Sequence, residues 1–230
     1  MPMTTTASAS NRTNDAAREV AASGYCQVHL GRASDDDLVA FARAFGRIGL
    51  EPRDPRPVRP VSPSSENEAR KNTLSSRYGF GPFPFHTDTA YWREPASFLL
   101  LYCVNPGRAD RATLVSDSRR WNHPDRIADL MASSVWKVQR NRDAFLTRLA
   151  VRTAAGLAFR YDPHCMCPVG SDNARLSSVV ERLANDSHVA ISWSTGDLLI
   201  VDNRRALHAR GPVTVPDPDR VLKRILVLDD

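Results

Sequence analysis

His86 and Asp88 stand two residues apart in FPFHTDTAYW, residues 83–92, an aromatic stretch with β propensity. On a strand, residues two apart project from one face. An imidazole and a carboxylate converging from one face make two-thirds of a facial triad, the three-ligand set that leaves a non-haem ferrous ion three open positions. A third ligand is then required. GDLLIVDNRRALHARGPV, residues 196–213, supplies His208 after a strongly apolar strand. A lone His-x-Asp match is more often an ordinary surface or core pair, so the weight falls on its context.

That context includes SFLLLYCV at 97–104, a buried-looking strand directly after the pair, and two arginines beyond His208. Arg220 and Arg224 lie four apart in RVLKRILVLD, whose apolar residues predict a strand, so both guanidiniums face one way. One of the two suits a forked contact with a dicarboxylate. A surface salt bridge is an equal alternative for either from this stretch alone.

His86-Thr87-Asp88, then Thr113 in ATLVSD, then Asp202-Asn203-Arg204 ahead of His208, then Arg220 and Arg224, form an ordered set. In that order they resemble the Fe(II)/2-oxoglutarate dioxygenases of the TauD/TfdA and clavaminate synthase-like type, over roughly residues 24–230. The resemblance implies that His86, Asp88 and His208 bind Fe(II). It implies that 2-oxoglutarate chelates the metal while Arg220 and the Thr113 hydroxyl hold its distal carboxylate, with O2 as second cosubstrate. Arg224 matches the second arginine of the family, near the cosubstrate or an anionic group of the substrate. The chemistry fits the donor count, because a bidentate 2-oxoacid and O2 need three open positions. Related halogenases lack the carboxylate ligand, so Asp88 favours oxygenation, desaturation or cyclisation.

The elements that must position these residues are many short strands with few helices. Residues 1–18 are Thr/Ser/Asn-rich and are expected to be disordered or loosely docked, with 19–230 as a single dioxygenase domain. YCQVHL at 25–30 reads as a strand. Ser34 caps a helix opening on three aspartates, with Leu38, Phe41, Ala42 and Phe45 on one face. Proline-dense residues 51–66 are expected to be a surface loop without regular structure. Strands follow near 97–104, 112–117, 134–140 and 157–161, with helices near 124–133 and 173–186. HVAISW and DLLIVDN are core strands about the Ser194-Thr195-Gly196 turn. The pattern is mainly β with flanking helices, a sheet sandwich. The resemblance sharpens this to a double-stranded β-helix, or jelly roll, with iron at its open end.

The segment 72–85 precedes the metal motif, and in the family it often forms the mouth of the site. Gly79 and Gly81 would let it move as a lid, and Arg77, Tyr78 and Phe83 are candidate substrate contacts. A packed aromatic loop is the equal alternative. HCMC at 164–167 lacks the second half of a structural zinc site and reads as pocket wall. Cys26 and Cys103 read as small core hydrophobes.

At 230 residues the chain suits one full core. No apolar run reaches bilayer length and the N-terminal stretch has no apolar centre, which points to the cytoplasm. All but three of the 31 basic residues are arginine, and the net charge is +5. Without a Lys/Arg run or RNA-binding signature, this excess argues for an acidic small molecule, free or on an acidic carrier, and against nucleic acid. The substrate expected is an amino acid or similar small carboxylate of specialised metabolism. A cupin-like metal-binding protein without dioxygenase activity is the alternative, and it would have no use for Thr113 and Arg220 as a clamp. Substrate identity and oligomeric state stay open at this level.

Overall fold

The computed structural model describes residues 9–52, 54–69, 71, 73–140, 143–154, 156–170, 175–213 and 215–230. In chain order the elements are α1 (Ala9–Ser23), β1 (Tyr25–His29), α2 (Asp35–Ala42), β2 (Arg47–Gly49), β3 (Arg59–Val61) and α3 (Ser75–Tyr78). Next come β4 (Phe98–Asn105), β5 (Thr113–Asp117), α4 (Asp125–Ser133), β6 (Val135–Arg140), β7 (Asp143–Arg148), β8 (Ala150–Thr153) and β9 (Gly156–Phe159). The chain closes with β10 (Met166–Pro168), α5 (Leu176–Asp186), β11 (Val189–Ile191), β12 (Asp197–Asp202), β13 (Ala206–Arg210) and β14 (Val221–Leu228). The protein is mainly β with few helices. No described helix is long and apolar enough to cross a membrane.

All strand pairings are antiparallel. The main sheet runs β1-β12-β4-β14-β2, with β3 also paired to β14, and a second sheet runs β11-β5-β13. Period-two alternation decides which side each residue serves. On β4, Leu100 and Tyr102 pack outward with Ala16, Val20 and Leu38 of the helices, whereas Leu99, Leu101 and Cys103 turn inward onto Val115 and Ile191 of the second sheet. On β12, Leu198 and Ile200 go outward and Leu199 and Val201 inward. On β14, Leu222 and Leu226 face inward and Ile225 outward, so Arg220 and Arg224, in phase with Leu222, share the inner side. The polar site is thereby placed between two apolar sheets. The remaining core, around Trp136, Tyr161, Val180 and Leu207, lies behind the second sheet.

Three expectations change. Part of the supposedly loose segment 1–18 is helical: α1 buries Ala16 and Val20, spaced one turn apart, on the main sheet. Residues 1–8 lie outside the described residues. The helix ends where Gly24, at φ +79, donates to Val20 O at 2.8 Å, a left-handed stop that glycine adopts without strain. Its last carbonyls are then fixed by a buried side chain, as Arg205 donates to Ala21 O at 2.7 Å and to Ala22 O at 2.9 Å. The same guanidinium forks onto Asp117 at 2.7 and 2.6 Å.

The proline-dense segment is not without regular structure. Arg59–Val61 forms β3, with Pro60 opposite Lys223 of β14. Proline is tolerated there because β3 stands at the edge of the sheet, where no further strand asks for its missing N–H. Conversely, FPFHTDTAYW is not a strand. Pro82 and Pro84 remove two ladder donors, Thr89 turns the chain at φ 56, and only His86 pairs, in an isolated bridge to His208. The predicted helix near 173–186 is α5, whose approach at 171–174 lies outside the described residues.

Candidate metal centre

His86 and His208 meet through their backbones before their rings do. Each N–H donates to the other's carbonyl at 2.9 Å, and the ring centroids lie 4.3 Å apart. Thr87 faces the opposite way, its N–H on Tyr161 O at 2.6 Å and its hydroxyl oxygen accepting from Tyr161 N at 3.0 Å. That anchorage returns Asp88 to the side of His86. Asp88 is then held by Asn203, whose Oδ1 accepts the Asp88 N–H at 2.7 Å and whose Nδ2 donates to Asp88 O at 3.0 Å and Ala96 O at 2.7 Å. One ligand atom each from His86, Asp88 and His208 lies within 4.8 Å of the other two.

The surroundings of the donors suit a cation. His86 Nδ1 lies 2.9 Å from Pro84 O, which accepts only from an N–H, so Nε2 is the ring nitrogen left for a ligand. Burial and then the nearby His86 push His208 down to about 3, leaving it neutral. Its buried Nδ1 has no hydrogen-bond partner. Burial alone would raise Asp88, but Arg224 and the two imidazoles outweigh it and hold the carboxyl below its ordinary range. Two imidazoles and one carboxylate, converging in a 550 Å³ cavity, fit a divalent ion.

Beside this cluster, Thr113 Oγ1 accepts from Trp193 Nε1 at 3.1 Å and from Arg220 Nη2 at 3.4 Å. Arg220 is 4% exposed, its Nη1 has no partner, and burial pushes it down to about 10. A buried cation without a counter-ion is costly, and a carboxylate entering the cavity removes that cost. Arg224 is already engaged. Its Nη1 donates to both Asp88 oxygens at 3.3 and 3.4 Å, and its Nη2 to Glu51.

Matching the whole arrangement to known families, the model of the TauD/TfdA family, described as taurine catabolism dioxygenase, fits residues 23–169 and 172–226. The chain belongs to the TauD/TfdA family. It is therefore an oxidoreductase, a dioxygenase. No curated protein matches this TauD/TfdA member in sequence. Among solved structures it is similar to the non-heme iron oxygenase OrfP in complex with Fe and alpha-ketoglutaric acid, at 17% identity and TM-score 0.76, over 96% of this chain and 80% of that one. An asparagine oxygenase in complex with Fe(II), hydroxyasparagine and succinate gives 17% and 0.77, with coverages of 96% and 80%. PvcB of Pseudomonas aeruginosa, an Fe, alpha-ketoglutarate dependent oxygenase from an isonitrile synthetic pathway, gives 19% and 0.71, with 94% and 79%. At these identities the likeness is one of fold.

The other residues singled out in the sequence separate into two groups. Phe83, His164 and Cys165 line the same cavity as the triad. Arg77 and Tyr78 do not; they line a more open hollow with Glu66, Pro82 and Phe83 itself. Cys167 is exposed, on the opposite face of β10 from buried Met166. Within this dioxygenase, sequence reasoning missed Glu51, Arg59 and Arg210 as cavity residues and Asn203 as the holder of Asp88. Glu51 and Arg59 fell in the supposed surface loop. Asn203 stood in the ordered motif but gave no sign of its partner.

Proposed function

We propose that the chain is a non-haem Fe(II)- and 2-oxoglutarate-dependent oxygenase acting on a small amino-acid-like or carboxylate substrate, with His86, Asp88 and His208 as its metal ligands. The observation that carries this is the convergence of the three ligand atoms within 4.8 Å in the same cavity as the Thr113–Arg220 pair. When bound, Fe(II) with 2-oxoglutarate and O2 supplies an oxidant for an unactivated C–H bond, leaving succinate and carbon dioxide. The residues present prepare that site. Pro84 O fixes the His86 tautomer, Arg224 keeps Asp88 ionised, and Asn203 fixes the peptide that carries it.

Arg220 Nη1 and the Thr113 hydroxyl are the proposed receptors for the distal carboxylate of 2-oxoglutarate. Because Thr113 Oγ1 already accepts two N–H bonds, its own proton is free to donate outward. Leu99, Leu101 and Leu222 line the cavity and exclude water from the reacting atoms. A cupin-like protein without dioxygenase activity would have no use for the buried pair.

The substrate reading rests on the lining and on the structural neighbours, whose ligands include hydroxyarginine and hydroxyasparagine. Glu51 and Asp162 face the cavity together with Arg140 and Arg224, a mixed-charge wall suited to a zwitterion. Arg224 and Phe83 are the proposed substrate contacts. We read residues 19–230, with the first turns of α1 packed onto them, as one dioxygenase domain, the facing sheets as a double-stranded β-helix, and the protein as cytoplasmic.

The test is anaerobic addition of Fe(II) and 2-oxoglutarate. A weak visible charge-transfer band is expected in the wild type and not in His208→Ala. A wild-type protein that binds both and shows no band would remove the chelate reading. Succinate release across free amino acids, sulfonates and carrier-tethered analogues then reads out the substrate class.

A further inference from the structure

Two guanidiniums, Arg210 and Arg220, line the cavity beside Thr113, with a third, Arg111, buried close by. Arg111, Arg210 and Arg220 lie within each other's electrostatic reach, and among the described residues none has a carboxylate within 4.0 Å. Asp217 influences Arg111 and Arg220 from further off, but its own oxygens are taken by the N–H groups of Arg108 and Ala109 at 3.1 and 3.4 Å. What two of these cations do hold is backbone. Arg210 Nη2 donates to Gly79 O at 2.5 Å and its Nε to Gly81 O at 2.8 Å. Arg111 Nη2 donates to Phe80 O at 2.6 Å.

Three successive carbonyls of the segment before the metal motif are thus turned inward onto two guanidiniums. The segment is built for that turn. Gly79 has φ +48, and a Cβ on Gly81 would sit 2.9 Å from Tyr78 O. The attachment reaches Phe83 as well, whose ring lies 3.5 Å from the Arg210 guanidinium carbon and whose N–H donates to Arg210 O at 3.0 Å. Arg210 follows His208 by two residues on β13, and Arg111 precedes Thr113 by two. Across β13 and β5, Arg210 is the register partner of Thr113, so the clamp and one proposed cosubstrate receptor sit on paired strands.

We propose that Arg210 is a positioning residue that couples 2-oxoglutarate occupancy to the closing of segment 79–83 over the cavity. The inference rests on the cosubstrate reading of Thr113 and Arg220. Without an anion, three like charges repel and are offset by carbonyl dipoles and the more distant Asp217. A dicarboxylate on Arg220 brings full negative charge into the cluster, relieves the repulsion on Arg210, and leaves its fork free to stay on Gly79 and Gly81. Substrate access through Phe83 would then depend on whether the cosubstrate is already in place.

Hydrogen exchange of the peptide spanning residues 79–85 tests this in the intact anaerobic Fe(II) protein, with 2-oxoglutarate as the probe and calorimetry recording whether it binds. In the wild type, 2-oxoglutarate should slow exchange of this peptide about tenfold. In Arg210→Gln the slowing should vanish while 2-oxoglutarate still binds; Arg210→Lys, which keeps the charge without the fork, should retain only part of it. Bound 2-oxoglutarate without slowing in the wild type, or equal slowing in either variant, overturns the coupling. No binding to the wild type overturns the cosubstrate reading itself, a result calorimetry separates from the others. Should Arg210→Gln fail to fold, Arg210→Lys alone decides, since wild-type slowing there excludes a role for the fork.

Discussion

Arg224 Nη1 lies 3.3 Å from Asp88 Oδ1, and the same guanidinium reaches Glu51 through Nη2. Arg224 therefore bridges a proposed metal ligand and a carboxylate from the proline-dense segment, and Arg59 continues the chain from Glu51 to Asp54. A point charge cannot span two carboxylates as a planar fork can. Arg224→Lys is expected to retain Fe(II) at one equivalent but to lower kcat/KM for an amino-acid-like substrate about tenfold or more, as lost bidentate contacts do. Iron content after desalting and steady-state succinate release measure the two effects. Unchanged kcat/KM would place substrate recognition elsewhere on the wall.

Arg220→Ala should act on the cosubstrate and spare the metal. Removing one partner of a buried, hydrogen-bonded charge pair costs about 2–5 kcal/mol, and Arg220 is 4% exposed beside Thr113. The 2-oxoglutarate requirement should rise by orders of magnitude at nearly constant Fe(II) affinity. If the apparent affinity for 2-oxoglutarate stays at the wild-type value, Arg220 is structural and the clamp must be Arg224.

Arg205→Ala should destabilise the fold far from the chemistry. Its side chain and that of Asp117 are 6% and 2% exposed, and their fork is continued by two bonds to the end of α1. Breaking such a pair leaves a buried charge alone, a loss of about 3–5 kcal/mol. Urea denaturation is the measurement. A midpoint within error of the wild type would show that water replaces the guanidinium at no cost.

The thiols predict an alkaline limit. Burial, with Glu19 adding to it, pushes Cys26 up to about 12, and burial pushes Cys103 up to about 11. In the unfolded chain both ionise near 9. The folded state holds its protons longer, so the stability these groups confer is complete below pH 9 and is lost as pH rises toward the folded values. At pH 8, exposed Cys167 should react with a disulfide reagent and Cys26 and Cys103 should not until the protein unfolds. Fast modification of Cys26 in the folded protein would contradict its burial.

Residue type and order pointed to the chemistry through the family they resemble. A His-x-Asp pair, one histidine behind an apolar strand, and two arginines four apart suggested a ferrous site with an anion receptor, whereas spacing alone left ordinary side-chain pairs as equal alternatives. The continuous apolar runs of β4 and β12 likewise made their burial legible, because a strand between a helix layer and a second sheet carries apolar side chains on both faces. What the sequence left open are contacts between distant parts of the chain. Asn203 holds Asp88 across 115 residues, and Arg210 reaches Gly81 across 129. Neither is encoded by local period or propensity, since a polar side chain declares its partner only once sheet register has placed it. The irregular path of His86-Thr87-Asp88 was decided the same way. Prolines denied it a strand, and the bridge to His208 together with the Thr87–Tyr161 bonds, both long-range, restored the common face that a strand would have provided.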